Sequence, residues 1–151
     1  MKRTIFILGS VVLCFGLVVA GGDQNMEKEK AAIQKVIEKA YVKGIHINRD
    51  PEAIRSGFHP EFNMLVLRED KITKVPIENW IAKIEESKKK NPEPSDVETT
   101  HNFSLVDITG DAAVAKIEIF RDSKHVFTDY MSLYKFDDGW KIVNKIFHHH
   151  K

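Results

Sequence analysis

Asp129 is the residue whose type and setting most clearly suggest chemistry. It lies in Phe127-Thr-Asp-Tyr-Met-Ser-Leu133, alternating with Phe127, Met131 and Leu133. On a β-strand that spacing puts a carboxylate on a largely apolar face. Such a group is costly unless paired, and in an apolar setting it suits general acid or base work. The following strand decides its neighbour. A two-residue turn at Asp138-Gly139 sets Asp129 opposite His148, an Asp–His pair able to orient an imidazole for proton transfer. A three-residue loop, Asp137-Asp138-Gly139, with a glycine bulge sets it opposite Phe147 instead. A structural ion pair, or a solvent-facing Asp near a strand end, is the plainer reading.

Other candidates carry weaker signals. His59 precedes Pro60 and reads as a packed loop residue. His101 stands three residues after Glu98 and reads as a rim residue. Tyr41 falls on a helical apolar stripe, as a core residue whose hydroxyl finds a backbone partner or as a pocket donor. His148-His149-His150 invites a metal reading, but neighbours on an extended strand point to opposite faces. The run reads as a frayed terminus with His148 its only ordered member. The chain has no HExxH, CxxC, GxGxxG, GxxxxGK[ST] or GxSxG pattern, so no metal site and no cofactor is expected.

These residues sit in a chain of 151 residues whose first twenty read as a leader. Lys2-Arg3 is followed by an uncharged apolar run from Ile5 to Ala20, with small residues at Val18-Val19-Ala20 for cleavage. That pattern predicts a signal peptide over residues 1–20 and a single domain over 21–151, in the periplasm or secreted. A retained anchor is the alternative. Cleavage removes Cys14, the only cysteine, so the mature chain has no thiol for disulfide, metal or nucleophile. Lys+Arg falls from 23 to 21 against 22 acidic residues, a net charge of −1. That balance gives no reason to expect nucleic acid as a partner, and no membrane span remains after cleavage.

The periodicity predicts the elements that hold the candidates. Gln24–Lys43 reads as a helix, with Ile33, Val36, Ile37, Ala40 and Tyr41 on one stripe and Gly44 at its end. Asp50-Pro51-Glu52 starts a short helix reaching about Gly57. Phe62–Arg68 and Lys71–Val75 read as strands around a Glu69-Asp70 turn. Pro76 opens a third helix with Ile77, Trp80, Ile81 and Ile84 inward, which ends at Asn91-Pro92-Glu93-Pro94. Val97–Thr109, Ala112–Arg121, His125–Phe136 and Trp140–His148 alternate with period two and form strands joined by short turns. The fold class is α+β: one antiparallel sheet of about six strands with three helices on one face.

Three stretches carry a resemblance. They are Tyr41-Val-Lys-Gly44, Phe58-His-Pro-Glu-Phe62, and Asp129-Tyr-Met-Ser-Leu133 with Gly139-Trp-Lys-Ile-Val-Asn-Lys-Ile-Phe147. Together they resemble the nuclear transport factor 2-like (cystatin-like) superfold, in its subgroup labelled putative lumazine-binding or SnoaL-like. The resemblance implies a strongly bent sheet forming a cone, with the helices on its concave face and a pocket inside. It places Tyr41, His59, Phe62, Trp80, His101, Phe103, Asp129, Met131 and His148 around that pocket. The superfold serves enzymes and binding modules alike, so fold alone does not give function. The leading expectation is a small, partly apolar ligand bound without catalysis. The alternatives are a lyase, isomerase or cyclase using Asp129 with Tyr41 or a His, and a homodimeric module paired through the convex sheet face.

Overall fold

The computed structural model describes residues 20–93 and 96–151. The expected leader therefore lies outside the described residues, apart from Ala20, where the first helix begins. Helix α1 covers Ala20–Ile37 and runs without a break into a π-helical stretch, Glu38–Ile47. Then follow α2 (Pro51–Gly57), β1 (Phe58–Arg68), β2 (Lys71–Pro76), α3 (Ile77–Lys90), β3 (Thr99–Thr109), β4 (Ala112–Arg121), β5 (Lys124–Phe136) and β6 (Gly139–His149). No helix among the described residues is long and apolar enough to cross a membrane.

Gly44 does not end the first helix, as the sequence suggests, but lies inside the π-helical stretch. Its role is close approach. A Cβ there would sit 3.1 Å from Ile54 Cγ1 and 3.2 Å from the Lys39 carbonyl, so glycine lets α2 pack against the stretch. Asp50 caps α2, its carboxylate accepting from the Glu52 and Ala53 amides.

The six strands form one sheet in the order β2-β1-β6-β5-β4-β3. All neighbours are antiparallel except β1 and β6, which run parallel. The sheet is thus mixed rather than wholly antiparallel. Short turns force antiparallel neighbours only between consecutive strands; β1 and β6 are joined by no turn, and their direction is set by the elements between them. At the Glu69-Asp70 and Asp122-Ser123 turns both residues have positive φ, the geometry that matches the twist of flanking strands.

Along β5, Phe127, Asp129, Met131 and Leu133 face inward, with the last three at most 1 % exposed. The pairing of β5 with β6 contains an irregularity. Phe136 faces Gly139 across an Asp137-Asp138 turn and Leu133 faces Ile142, but Ser132 faces Asn144, so Val143 is an extra residue in β6. The Asp137-Asp138 turn replaces both expected turns, and the bulge moves Asp129 from opposite Ile146 to opposite Phe147, so the Asp129–His148 pair does not form. Helix residues Ile33, Ile37, Tyr41, Ile77 and Ile81 close over Ile117, Ile119, Met131, Leu133 and Ile142 to make the core. On the outer face, Leu105, Lys116, Tyr130 and Ile146 form a row across four strands.

Candidate functional site

Deep in the cone, three polar side chains from three elements meet. Tyr41 comes from the π-helical stretch, Asp129 from β5 and Lys145 from β6. The Tyr41 hydroxyl donates to Asp129 Oδ2 at 2.6 Å, and Lys145 Nζ donates to Asp129 Oδ1 at 2.5 Å. Lys145 Nζ also lies 3.4 Å from the Tyr41 oxygen. All three are buried: Asp129 is 0 % exposed, Tyr41 1 % and Lys145 3 %. The Tyr41 hydroxyl thus finds a carboxylate rather than the backbone partner expected from sequence.

Aromatic rings surround the ammonium. Lys145 Nζ is 4.2 Å from the Phe147 ring centroid, 5.2 Å from Tyr41 and 5.5 Å from Trp80. Ring faces attract a desolvated cation. Burial pushes the Lys145 pKa below the ordinary lysine range, while the Asp129 charge and hydrogen bond oppose that. Burial, the Asp129 charge and the hydrogen bond to it all push the Tyr41 phenol well above its usual range. The set is a charge-balanced, hydrogen-bonded unit, and both Asp129 oxygens are taken.

Above it stands His46. Its ring meets Tyr41 edge to face, centroids 4.7 Å apart at 86°. Arg121 Nη2 lies 3.3 Å from His46 Nδ1. A guanidinium can only donate, so Nδ1 accepts and the imidazole proton sits on Nε2. Nε2 is shut off from solvent and has no partner among the described residues. Burial, then the Arg121 and Lys145 charges, lower the His46 pKa to about 3. The ring is therefore neutral at neutral pH.

His46 belongs to the wall of a recess of about 660 Å³, together with Ile45, Trp80, Phe127, Arg49 and Arg121. Arg49 braces its rim. The backbone there has φ of +50°, and the guanidinium donates to the Asn91 and Glu93 carbonyls at 2.7 Å each. Trp80 lies between the recess and the buried unit, 6.2 Å from Tyr41, ring centroid to centroid.

The structure gathers some of the expected pocket residues and disperses others. Tyr41, Asp129 and Trp80 converge. Phe62 stacks on Trp80 at 6.2 Å, and Met131 packs in the core beside Asp129. His101 is half-buried, 3.4 Å from Glu38 Oε1 and edge-on to Phe103. His59 lies in β1 rather than in a loop, stacked on Phe136 at 4.8 Å and away from the buried unit. His148 is exposed and meets His150 at 4.7 Å. The terminal histidines are ordered, contrary to expectation. His149 stacks on Phe127 at 4.9 Å, the His150 amide donates to the Val126 carbonyl, and its Nε2 is 2.9 Å from Thr128 Oγ1. Among the described residues, no three His, Cys, Asp or Glu side chains are grouped to hold a metal ion.

Two residues of the site escape a sequence reading. Lys145 has the parity of Lys141 and would face solvent in a regular strand; the extra residue at Val143 turns it inward. His46 lies beyond Gly44, where a helix end is expected.

Comparison with known proteins agrees with this architecture. The sequence profile of the family described as putative lumazine-binding matches residues 28–148. An NTF2-like protein of unknown function from Shewanella baltica is 30 % identical, with 83 % of this chain and 96 % of that one covered and a TM-score of 0.66. An NTF2-like protein of unknown function from Silicibacter pomeroyi shares the fold at 18 % identity, covering 83 % and 98 % of the two chains, with a TM-score of 0.67. A domain of unknown function with a cystatin-like fold from Nostoc punctiforme does so at 12 % identity, covering 82 % and 78 %, with a TM-score of 0.60. A comparison with curated proteins gives no match. From the bent six-stranded sheet to the profile that spans it, the chain belongs to the putative lumazine-binding family of NTF2-like proteins.

Proposed function

We propose that this domain binds a small, partly apolar molecule in the recess at the mouth of its cone, without turning it over. One observation carries the reading. The recess of about 660 Å³ combines aromatic walls, Trp80 and Phe127, with a few polar groups, His46, Arg49 and Arg121. Apolar walls with sparse, placed polar groups are the usual makeup of a ligand site. Proton transfer by Asp129 is less well supported: the carboxylate is fully buried and its two oxygens already accept from Tyr41 and Lys145.

Lumazine, the flat heterocycle in the family's description, is the natural first probe. In a Trp140→Phe background Trp80 is the only indole. Lumazine is expected to quench its fluorescence saturably, with affinity reduced roughly tenfold or more by Phe127→Ala, since stacking and contact area are lost. If neither lumazine nor other flat bicyclic aromatics change the Trp80 signal, the binding reading fails.

The leader of residues 1–20 supports export, and we place the working protein in the periplasm or outside the cell. A mature N-terminus at Gly21 on the exported chain checks this; an intact leader on membrane-bound protein refutes it. A second reading concerns assembly. Leu105, Val114, Tyr130, Tyr134 and Ile146 are each 46–53 % exposed. A stripe of this kind on one sheet face favours a homodimer through that face.

A further inference from the structure

If the recess is the binding site, His46 says what it selects. We infer that the ligand carries an anionic oxygen, of the carboxylate class, on a flat apolar body, and that His46 Nε2–H is the donor that receives it. The argument starts from the Arg121 guanidinium. By donating to Nδ1 it fixes the imidazole tautomer and leaves the proton on Nε2. That N–H has no acceptor among the described residues, and solvent does not supply one because the atom is closed to water. A buried donor without a partner is costly, and an acceptor that restores the bond recovers the loss. The imidazole lines the recess, so an oxygen approaches from that side with a small turn of the ring.

Charge selects the kind of oxygen. Arg49 and Arg121 both line the recess, against the single carboxylate of Glu93. Burial first, then positive neighbours, keep a proton off His46, and those neighbours draw an anion toward it. Lys145 adds to that field from below, although Asp129 neutralises most of its charge. Trp80 and Phe127 supply apolar ring faces for the body of the ligand.

The matched probes are 2-naphthoate and 2-naphthamide, which share shape and differ in charge. Binding is followed by chemical-shift titration of the full chain, with the His46 Nε2 resonance read from ¹⁵N-labelled imidazole. The wild type should bind naphthoate roughly tenfold or more tightly than naphthamide, as a charge-assisted bond implies, and the Nε2 resonance should move with naphthoate. His46→Phe should lose this preference while still binding naphthamide. His46→Gln, which keeps an N–H donor, should restore part of it. Arg121→Gln keeps a donor toward Nδ1 without the charge, and should weaken naphthoate alone. Equal binding of both probes to wild type and to His46→Phe overturns the inference and leaves the recess as a binding site. Binding of neither probe overturns both. If His46→Phe fails to fold, the His46→Gln and Arg121→Gln results decide, since loss of preference in neither of them refutes the assignment.

Discussion

Tyr41 and His46 are five residues apart, and their rings meet at 4.7 Å. In an α-helix, residues three or four apart share a face; the π-helix, with hydrogen bonds spaced five residues apart, is wider and brings residues five apart closer to one face. The Asn48 amide reaches back five residues to the Lys43 carbonyl at 2.7 Å. The widened turn thus stacks the polar end of the buried unit and the wall of the recess in one column. π-turns frequently mark functional sites, and this one joins both parts of the candidate site.

Breaking that column from below should be costly. Lys145→Met leaves the Asp129 charge buried without its cation, and a loss of about 3–5 kcal/mol in urea unfolding is expected. Pairing it with Asp129→Asn removes the orphaned charge and should recover at least half of that loss. A double mutant as unstable as the single would show that the ion pair is not what Lys145 contributes.

Tyr41→Phe keeps the ring and removes the donor to Asp129 Oδ2. The carboxylate then has one fewer partner in a site closed to water, at an expected cost of about 1–3 kcal/mol. The same denaturation experiment checks it, and an unchanged midpoint would contradict a contribution from this hydrogen bond.

Acidity should act through His46. Its pKa is about 3 in the fold against about 6.5 when unfolded. A lowered histidine value means that the unfolded chain binds the extra proton. The stabilising contribution is therefore complete above pH 6.5 and is lost as pH falls from 6.5 toward 3. By pH 4 this group alone should cost on the order of 3 kcal/mol. The lowered carboxylates Glu29, Glu78, Glu118 and Asp138 begin to lose their contributions only near their own ordinary range, so the interval between about pH 6.5 and 4.5 belongs to the histidines: His46 and, lowered first by burial, His150. His46→Phe should flatten the stability curve there; a slope equal to wild type would reject the assignment.

Gly57 tests the packing that holds the π-helical stretch. A Cβ there would stand 2.4 Å from Ala40 Cβ and 3.1 Å from Val36 Cγ1. Gly57→Ala should destabilise by about 1–3 kcal/mol through overpacking, seen as a lower Tm. A neutral result would mean that α2 can slide outward without loss.

If the outer face pairs two copies, Tyr130→Glu together with Ile146→Lys should convert a dimer to a monomer in sedimentation, with the circular dichroism spectrum unchanged. A wild-type chain that sediments as a monomer at all concentrations would remove that reading.

Much of this was legible from residue order. The alternation Phe127, Asp129, Met131, Leu133 places a carboxylate inside, and so it lies. The stripe through Ile33, Ile37 and Tyr41 brings the phenol to the core, and Asp50-Pro51 starts α2 as its chemistry requires. What escaped did so for local geometric reasons. Trp140 and Ile142 point inward, yet Lys145, of opposite parity, does too, because Val143 adds a residue that no composition signal announces. His46 escaped because helical spacing counted at 3.6 per turn loses track where the turn widens. The parallel contact of β1 with β6 escaped because residue patterns record which side chains are buried, not which distant strand lies alongside.

That contact also sets a timetable. β6, the last strand in chain order, lies inside the sheet between β1 and β5, and it brings Lys145 to an Asp129 already in place. Until it arrives, two strand edges stay open and a carboxylate bound for the interior has no cation. The β5–β6 hairpin is local, but the pairing of β6 with β1 closes most of the chain into a loop, and pairings so distant in sequence are slow to form. The slow joint of the cone is therefore the seam between β1 and the hairpin, not the hairpin that carries Asp129 and Lys145.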